Sequence, residues 1–398
     1  MDNAQNRIVN LIENCLLFFT ALALLFSSCS QLQNTPADSY QAKAKPAPVK
    51  KAPAPVVKHD TIQRDSFCIA AVGDIMLGTS YPDNRTLPPD SAKGSFKNVI
   101  EHLQSADVTF GNLEGTMLDK GEPAHYKLHL RSKGYLFRSP EKYAAIIKEA
   151  GFKVVSLANN HIGDFGDTGR VNTMRVLDKT GIAYGGQVTN PSAVFKINGV
   201  TYGFCAFAPN ANTESILDLP SARELIQELK QHCDVVIVSF HGGGEGANFE
   251  HVPFKMESFF SEKRGDVHTF AHNAIDAGAD LVFGNGPHVC RAMELYKGRL
   301  IAYSLGNFCT YTSVSVAGVC GLAPILKVNV NKKGEFLNGK IISAQQTHYN
   351  GLQLDTLNNA AKRIKFLTET DFPQSGLSIS DDGIIAKADG TLQTQVKE

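Results

Sequence analysis

Short apolar runs that break off into Gly, Asn, Asp or His limit what this chain can fold into more than any other feature of it. Phe67-Cys68-Ile69-Ala70-Ala71-Val72, Val108-Thr109-Phe110, Val154-Val155-Ser156-Leu157, Val235-Val236-Ile237-Val238-Ser239-Phe240 and Leu281-Val282-Phe283 are too short for helices and read as buried strands. Helical periodicity lies between several of them. The clearest case starts at Ser139 with Pro140 in its first turn, puts Tyr143, Ile146, Ile147 and Ala150 on one face, and stops at Gly151. Such alternation predicts an α/β fold with helices outside the sheet, where ligands gather beyond the carboxyl ends of strands.

Hairpin signals join the pattern from Ala193 onward. Asn198-Gly199 sits between Val194-Phe195-Lys196-Ile197 and Val200-Thr201-Tyr202, and Ile325 to Val330 runs through Lys332-Lys333-Gly334 into Leu337 to Ser343. The expectation is therefore mixed sheets, two of them face to face between helices. At 398 residues and 43% hydrophobic content the chain can build such a core. Beyond Gly351 the pattern predicts one helix, Leu357 to Leu367, and then a Gly-, Ser- and Asp-rich tail with little to bury; there is no internal repeat.

The amino-terminal residues carry a different message. Arg7 precedes an apolar run from Cys15 to Phe26, which ends at Ser27-Ser28 and then Cys29. The run falls short of the roughly 20 apolar residues a membrane span needs, so it reads as a signal peptide. It resembles a lipobox, in which the Cys after small residues becomes lipidated, although Phe26 stands where Leu is usual. An uncleaved anchor is the alternative, and both readings place the protein in the cell envelope, exported. The expected organisation is a lipoprotein signal over 1–29, a Pro/Ala/Lys-rich tether over 30–66, one domain over 67–350, and a carboxyl-terminal helix and tail over 351–398. Cys68, Cys205, Cys233, Cys290, Cys309 and Cys320 follow neither CxxC nor knuckle spacing and read as buried free thiols. Lys+Arg and Asp+Glu are equal at 39 each, which leaves no basic field for nucleic acid.

Nearly every predicted strand runs straight into a metal-ligand type of residue. The loops begin Gly73-Asp74-Ile75-Met76, Gly111-Asn112-Leu113-Glu114, Asn159-Asn160-His161-Ile162-Gly163-Asp164, His241-Gly242-Gly243-Gly244-Glu245 and Gly284-Asn285-Gly286-Pro287-His288. Any one of these could be a turn cap or an Asx turn. Five loops leaving one sheet edge can instead converge, offering carboxylate, amide oxygen and imidazole to a divalent metal ion. His268 and His272 also have ligand-like i,i+4 spacing on a predicted helix, Val267 to Gly278. No Glu follows the first His, so they read as surface or packing residues.

These blocks, together with Tyr303-Ser304-Leu305-Gly306-Asn307-Phe308, resemble the capsule synthesis CapA family, linked to poly-gamma-glutamate capsule and related to calcineurin-like metallophosphoesterases. The resemblance runs from Cys68 to Thr347. It implies a metallophosphoesterase-like sandwich of two sheets flanked by helices. It further implies Asp74 and Asn160 as metal ligands, Glu114 or Asn112 in the bridging position, and His241 and His288 as imidazole ligands. His161, with Asp164, would be catalytic, contacting the phosphate or protonating a leaving group. Glu245, Asn285 and Asn307 are candidate substrate-binding residues. Met76 stands where phosphoesterases usually carry His, and Asn285 where CapA relatives do, so the set suits one or two ions.

The implied function is a metal-dependent hydrolase or transferase acting on an anionic capsule or envelope polymer. The alternative is a non-catalytic assembly or anchoring protein that holds an acidic polymer through a metal within a capsule-synthesis complex. Lys120, Lys127, Arg131, Lys133 and Arg138 would belong to a polymer-binding surface or to an ordinary solvated loop. Cys29→Ser is expected to move the protein out of the detergent phase in phase partitioning or to leave its precursor unprocessed, because no other segment in the sequence is long and apolar enough to hold it. Unchanged partitioning and processing would contradict lipidation.

Overall fold

The first apolar run is continuous rather than alternating because both faces of its strand are buried. In the computed structural model, which describes residues 65–128, 135–311, 314–347 and 351–388, this run forms β1 (Ser66–Met76). Ile69 and Ala71 face one core and Ala70 and Val72 another. The signal, Cys29, nearly all of the tether, Arg131 and Lys133 lie outside the described residues.

The chain then adds β2 (Val108–Leu113), α1 (Tyr143–Glu149), β3 (Val154–Ser156), α2 (Gly166–Thr180) and β4 (Ala183–Gly185), with the four strands parallel. α1 begins at Tyr143 rather than at the expected Ser139, which pairs with Met117 in a short strand, and the chain leaves the helix at Gly151, whose φ of +108° few side chains tolerate. A second sheet follows: β5 (Ser192–Ile197), β6 (Val200–Phe207), α3 (Leu219–His232), β7 (Val235–His241), α4 (Val267–Ala277), β8 (Leu281–Asn285), β9 (Met293–Tyr296) and β10 (Arg299–Ala302). β5 and β6 are the expected hairpin. Asn198 at φ +51° and Gly199 at φ +84° give the two left-handed residues that its turn requires.

β11 (Asn307–Thr310) returns to the first sheet, followed by β12 (Ile325–Asn331), β13 (Phe336–Ile342), α5 (Asn359–Asp371), β14 (Leu377–Ile379) and β15 (Ile384–Lys387). The first sheet has the order β14-β15-β13-β12-β1-β2-β3-β4, with β11 alongside the end of β1. The second has the order β9-β10-β8-β7-β6-β5. The protein is a mixed α/β sandwich. The sheets meet through Phe110 of β2, which stacks on Phe283 of β8 at 5.6 Å and packs on Phe204 of β6 at 5.6 Å. α1 and α2 cover the outer face of the first sheet, and α3 and α4 that of the second.

The expected tail is partly structure. β14 and β15 pair with each other and then with β13, and Ile379 and Ile385 enter the inter-sheet core with Ala361 and Ile364 of α5. Each strand is three or four residues long and buries a single Ile, which leaves no periodicity in the sequence to read. All six cysteines after Cys29 are free, as expected, with Cys68 and Cys320 half-buried and the rest buried. Removal of the ring that joins the sheets has a clear consequence. Phe110→Ala should destabilise the protein by about 3–5 kcal/mol and Phe110→Leu by less, read as a lower denaturation midpoint with an unchanged slope.

Candidate metal centre

Strand register gathers the polar residues at one end of the sandwich. Asp74 of β1 stands opposite Asn112 on β2 and Asn307 on β11, while His241 of β7 stands opposite Asn285 on β8. The segment from Tyr303 to Gly306 laces the two groups together: Leu305 N–H donates to Gly284 O at 3.1 Å and Asp74 N–H donates to Gly306 O at 2.9 Å. That approach requires glycine at both crossings. A Cβ on Gly73 would lie 1.8 Å from Gly306 O, and one on Gly284 would lie 2.2 Å from Tyr303 O.

Asp74 is fully buried and tied at both oxygens. Its Oδ1 accepts from Asn112 Nδ2 at 2.8 Å, and its Oδ2 is 2.9 Å from His288 Nδ1. Asn112 also accepts at Oδ1 from Asn159 Nδ2 at 3.2 Å, so both ends of its amide are engaged. Asn112 thus brackets the site. Of the two residues expected in the bridging position, Glu114 has the free atom: its Oε1 is buried without a hydrogen-bond partner, 3.7 Å from His288 Nε2 and 3.8 Å from His161 Nε2.

The electrostatics follow from carboxylates crowded out of water. Burial, and then the charge of Asp74, push Glu114 well above the usual carboxylate range. At His288 burial opposes the charged form, but Glu114, the hydrogen bond to Asp74 and Glu245 outweigh it and hold the imidazole up to about 10. His241 is pushed the other way, chiefly by burial and then by Arg264, and stays neutral. Its Nδ1 is 3.4 Å from Asn112 Nδ2, and its Nε2 is buried without a partner.

The loop after β3 is built by Asn159. Its Oδ1 accepts from the N–H groups of His161 at 3.1 Å and Ile162 at 2.9 Å, and its Nδ2 donates to Leu113 O at 2.9 Å. This leaves Asn160 Oδ1 buried without a partner. His161 Nδ1 lies 2.9 Å from Asp164 Oδ2, and its ring rests on Phe137 at 4.2 Å. Asp164 is itself held by Phe137 N–H at 2.8 Å and Lys127 Nζ at 2.8 Å. An ionised carboxylate only accepts, so Nδ1 of His161 carries the proton and Nε2 is left on the Glu114 side.

Asp74, Glu114 and His288 offer ligand atoms within 4.8 Å of one another. Around them Glu114 Oε1, Asn160 Oδ1, Asn285 Oδ1, Asn307 Oδ1 and His241 Nε2 are buried without hydrogen-bond partners. Buried acceptors are costly unless a donor or cation satisfies them. Carboxylate, amide oxygen and imidazole together suit a divalent first-row metal, so the residues present fit such an ion.

The three residues expected to bind substrate are steadied by neighbours. Glu245 pairs with Arg264 at 2.8 Å and comes within 3.9 Å of His288 Nε2, Asn285 Nδ2 donates to Ser239 Oγ at 3.3 Å, and Asn307 Nδ2 donates to His288 O at 3.3 Å. Sequence reasoning missed Asn159 as the loop organiser and the buried Arg264 behind Glu245. The adjacent Asn159-Asn160 pair held a signal without saying which amide turns inward; Arg264, within the short strand Glu262–Gly265, held none. Lys127 and Arg138 are not free for a polymer. Lys127 donates to Asn160 O at 2.9 Å, and Arg138 donates to Ser80 O at 2.8 Å and Gly121 O at 2.7 Å, while Lys120 is exposed. Asp74→Ala should lower the divalent metal bound per chain, measured by elemental analysis, because no neighbour in its loop can replace its carboxylate.

The chain matches the family described as bacterial capsule synthesis protein PGA_cap over residues 68–312. It is 31% identical over 278 residues to the PGA biosynthesis protein CapA of Bacillus subtilis (strain 168), covering 65% of this chain and 66% of that one. It is 30% identical over 285 residues to the capsule biosynthesis protein CapA of Bacillus anthracis, covering 65% of this chain and 62% of that one. It therefore spans slightly less than two thirds of the length of these two relatives. Among solved structures, the calcineurin-like phosphoesterase YfkN from Bacillus subtilis aligns over 70% of this chain and 90% of that chain, at 14% identity and a TM-score of 0.40. With blocks from Asp74 to Asn307 gathered at one end of the sandwich and the family match spanning more than half of its residues, the chain belongs to the bacterial capsule synthesis family PGA_cap.

Proposed function

We propose that this protein is an envelope-anchored, metal-dependent hydrolase or transferase acting on an anionic capsule or cell-envelope polymer of the poly-gamma-glutamate type. The polymer class rests on the relatives, two of which are named for PGA or capsule biosynthesis and another, from Mycobacterium tuberculosis, as a probable polyglutamine synthesis accessory protein. The envelope location rests on Cys29 and the apolar run before it. Among the described residues no helix is long and apolar enough to cross a membrane.

In this reading Asp74, Glu114, Asn160, His241 and His288 hold one or two divalent ions. When bound, such an ion lowers the pKa of water from 15.7 towards about 7 and offsets negative charge developing on the reacting oxygens. The observation that carries the enzymatic reading is the pair His161 and Asp164. A buried carboxylate on its far nitrogen holds an imidazole in one tautomer and orientation, the arrangement that a proton-transferring residue needs. Asp164 holds the Nδ1–H, Phe137 fixes the ring plane, and Asn159 fixes the backbone, so Nε2 of His161 is positioned to take up a proton and pass it to a leaving group. Asp164 in turn is held in place by Lys127 and the Phe137 N–H. Glu245, braced by Arg264, and Asn285 and Asn307 then border the place where substrate enters.

His161→Ala should keep most of the bound metal yet lower hydrolysis of a phosphoester or gamma-glutamyl substrate by about two to four orders of magnitude in kcat, with little change in KM. Purified protein with full metal and no turnover on either substrate, together with a His161→Ala strain that still makes capsule, would transfer the assignment to polymer assembly or anchoring.

A further inference from the structure

A second group of metal-ligating side chains lies outside this site. His268 and His272 project from one face of α4, and the fold brings Glu294 of β9 against them, with ligand atoms of all three within 4.8 Å of one another. His272 Nε2 is 3.0 Å from Glu294 Oε2, and the two imidazole rings are 4.1 Å apart. Zinc bonds of 2.0–2.2 Å to nitrogen and oxygen place tetrahedral neighbours about 3.3 Å apart, so small side-chain shifts would gather all three on one ion.

The surroundings are those of a prepared ligand set. Tyr303 donates its hydroxyl to Glu294 Oε2 at 2.8 Å, which fixes the carboxylate from behind. Tyr296 stacks on His272 at 3.7 Å, while Phe254 packs on His268 at 4.6 Å. His268 and Glu294 also line an open pocket of about 400 Å³, closed on other sides by Phe254, Asp371 and Phe372. Asp371 is already engaged by His251 Nδ1 at 2.6 Å and Val252 N–H at 3.0 Å.

We propose that His268, His272 and Glu294 form a second metal site, independent of the Asp74 centre, which takes a zinc-class divalent ion with three protein ligands and a fourth position open to that pocket. Two imidazoles and one carboxylate select late first-row metals over calcium or magnesium. The pocket side leaves the ion accessible to water or a small anionic ligand.

Full-length protein in detergent, stripped with chelator and reloaded with Zn2+ or Co2+, tests this without any activity assay. Glu294→Gln retains an amide for Tyr303 and His272 to bond, so local packing is kept. It and His272→Ala should each lose one Zn2+ equivalent per chain and the visible bands of four-coordinate Co2+, and the same loss should appear on top of Asp74→Ala. Circular dichroism melts identify variants that remain folded. Unchanged Zn2+ stoichiometry in both folded variants overturns the proposal, as does folded Asp74→Ala protein that retains no Zn2+ at all.

Discussion

One buried carboxylate, Asp74, holds the two halves of the candidate centre together. Its oxygens bond to Asn112 from the first sheet and to His288 from the loop beyond the second, and its own N–H reaches Gly306 in the segment that crosses between the sheets. A charge so deeply buried is tolerated only where hydrogen bonds and opposite charge surround it, and the site supplies both. Gly73 and Gly284 are part of the same constraint, because neither crossing of that segment leaves room for a Cβ.

The rest of the centre is rigid because of what lies beneath it. Rings of Phe110, Phe204 and Phe283 lock the sheets face to face, so the five loops leave from strand ends that cannot drift. Asn159 spends its side chain on the backbone of His161, Ile162 and Leu113 and on the amide of Asn112, and so shapes the loop that carries Asn160 and His161. Lys127 closes the arrangement by bonding both to Asp164 and to the carbonyl of Asn160. The outcome is a small volume rich in buried acceptors with few donors, the electrostatic inverse of an ordinary core.

The second sheet carries polar chemistry on another element as well. α4 buries Phe270, Ala271 and Ala274 against its outer face and turns His268 and His272 towards Glu294. The same helix spacing that satisfies packing therefore also aligns two imidazoles, which is why the pair reads as a packing feature until β9 is placed beside it.

Much of this was legible before any coordinates. The central strands β1, β2, β3, β7 and β8, the Asn198-Gly199 hairpin, the helix that ends before Gly151 and the candidate loops at strand ends follow from local periodicity and turn chemistry, which act over a few residues and are written directly in the chain. What depends on pairing was not. The carboxyl-terminal strands, the engagement of Asn112 at both ends of its amide, the bracing of Glu245 by Arg264 and the meeting of Glu294 with His268 and His272 each join segments whose separation in sequence carries no periodic signal. The sequence by itself determined which residues could ligate and where strands would end. Only the tertiary structure decided which of their atoms remain free, because that depends on which neighbours register and packing bring within hydrogen-bond reach.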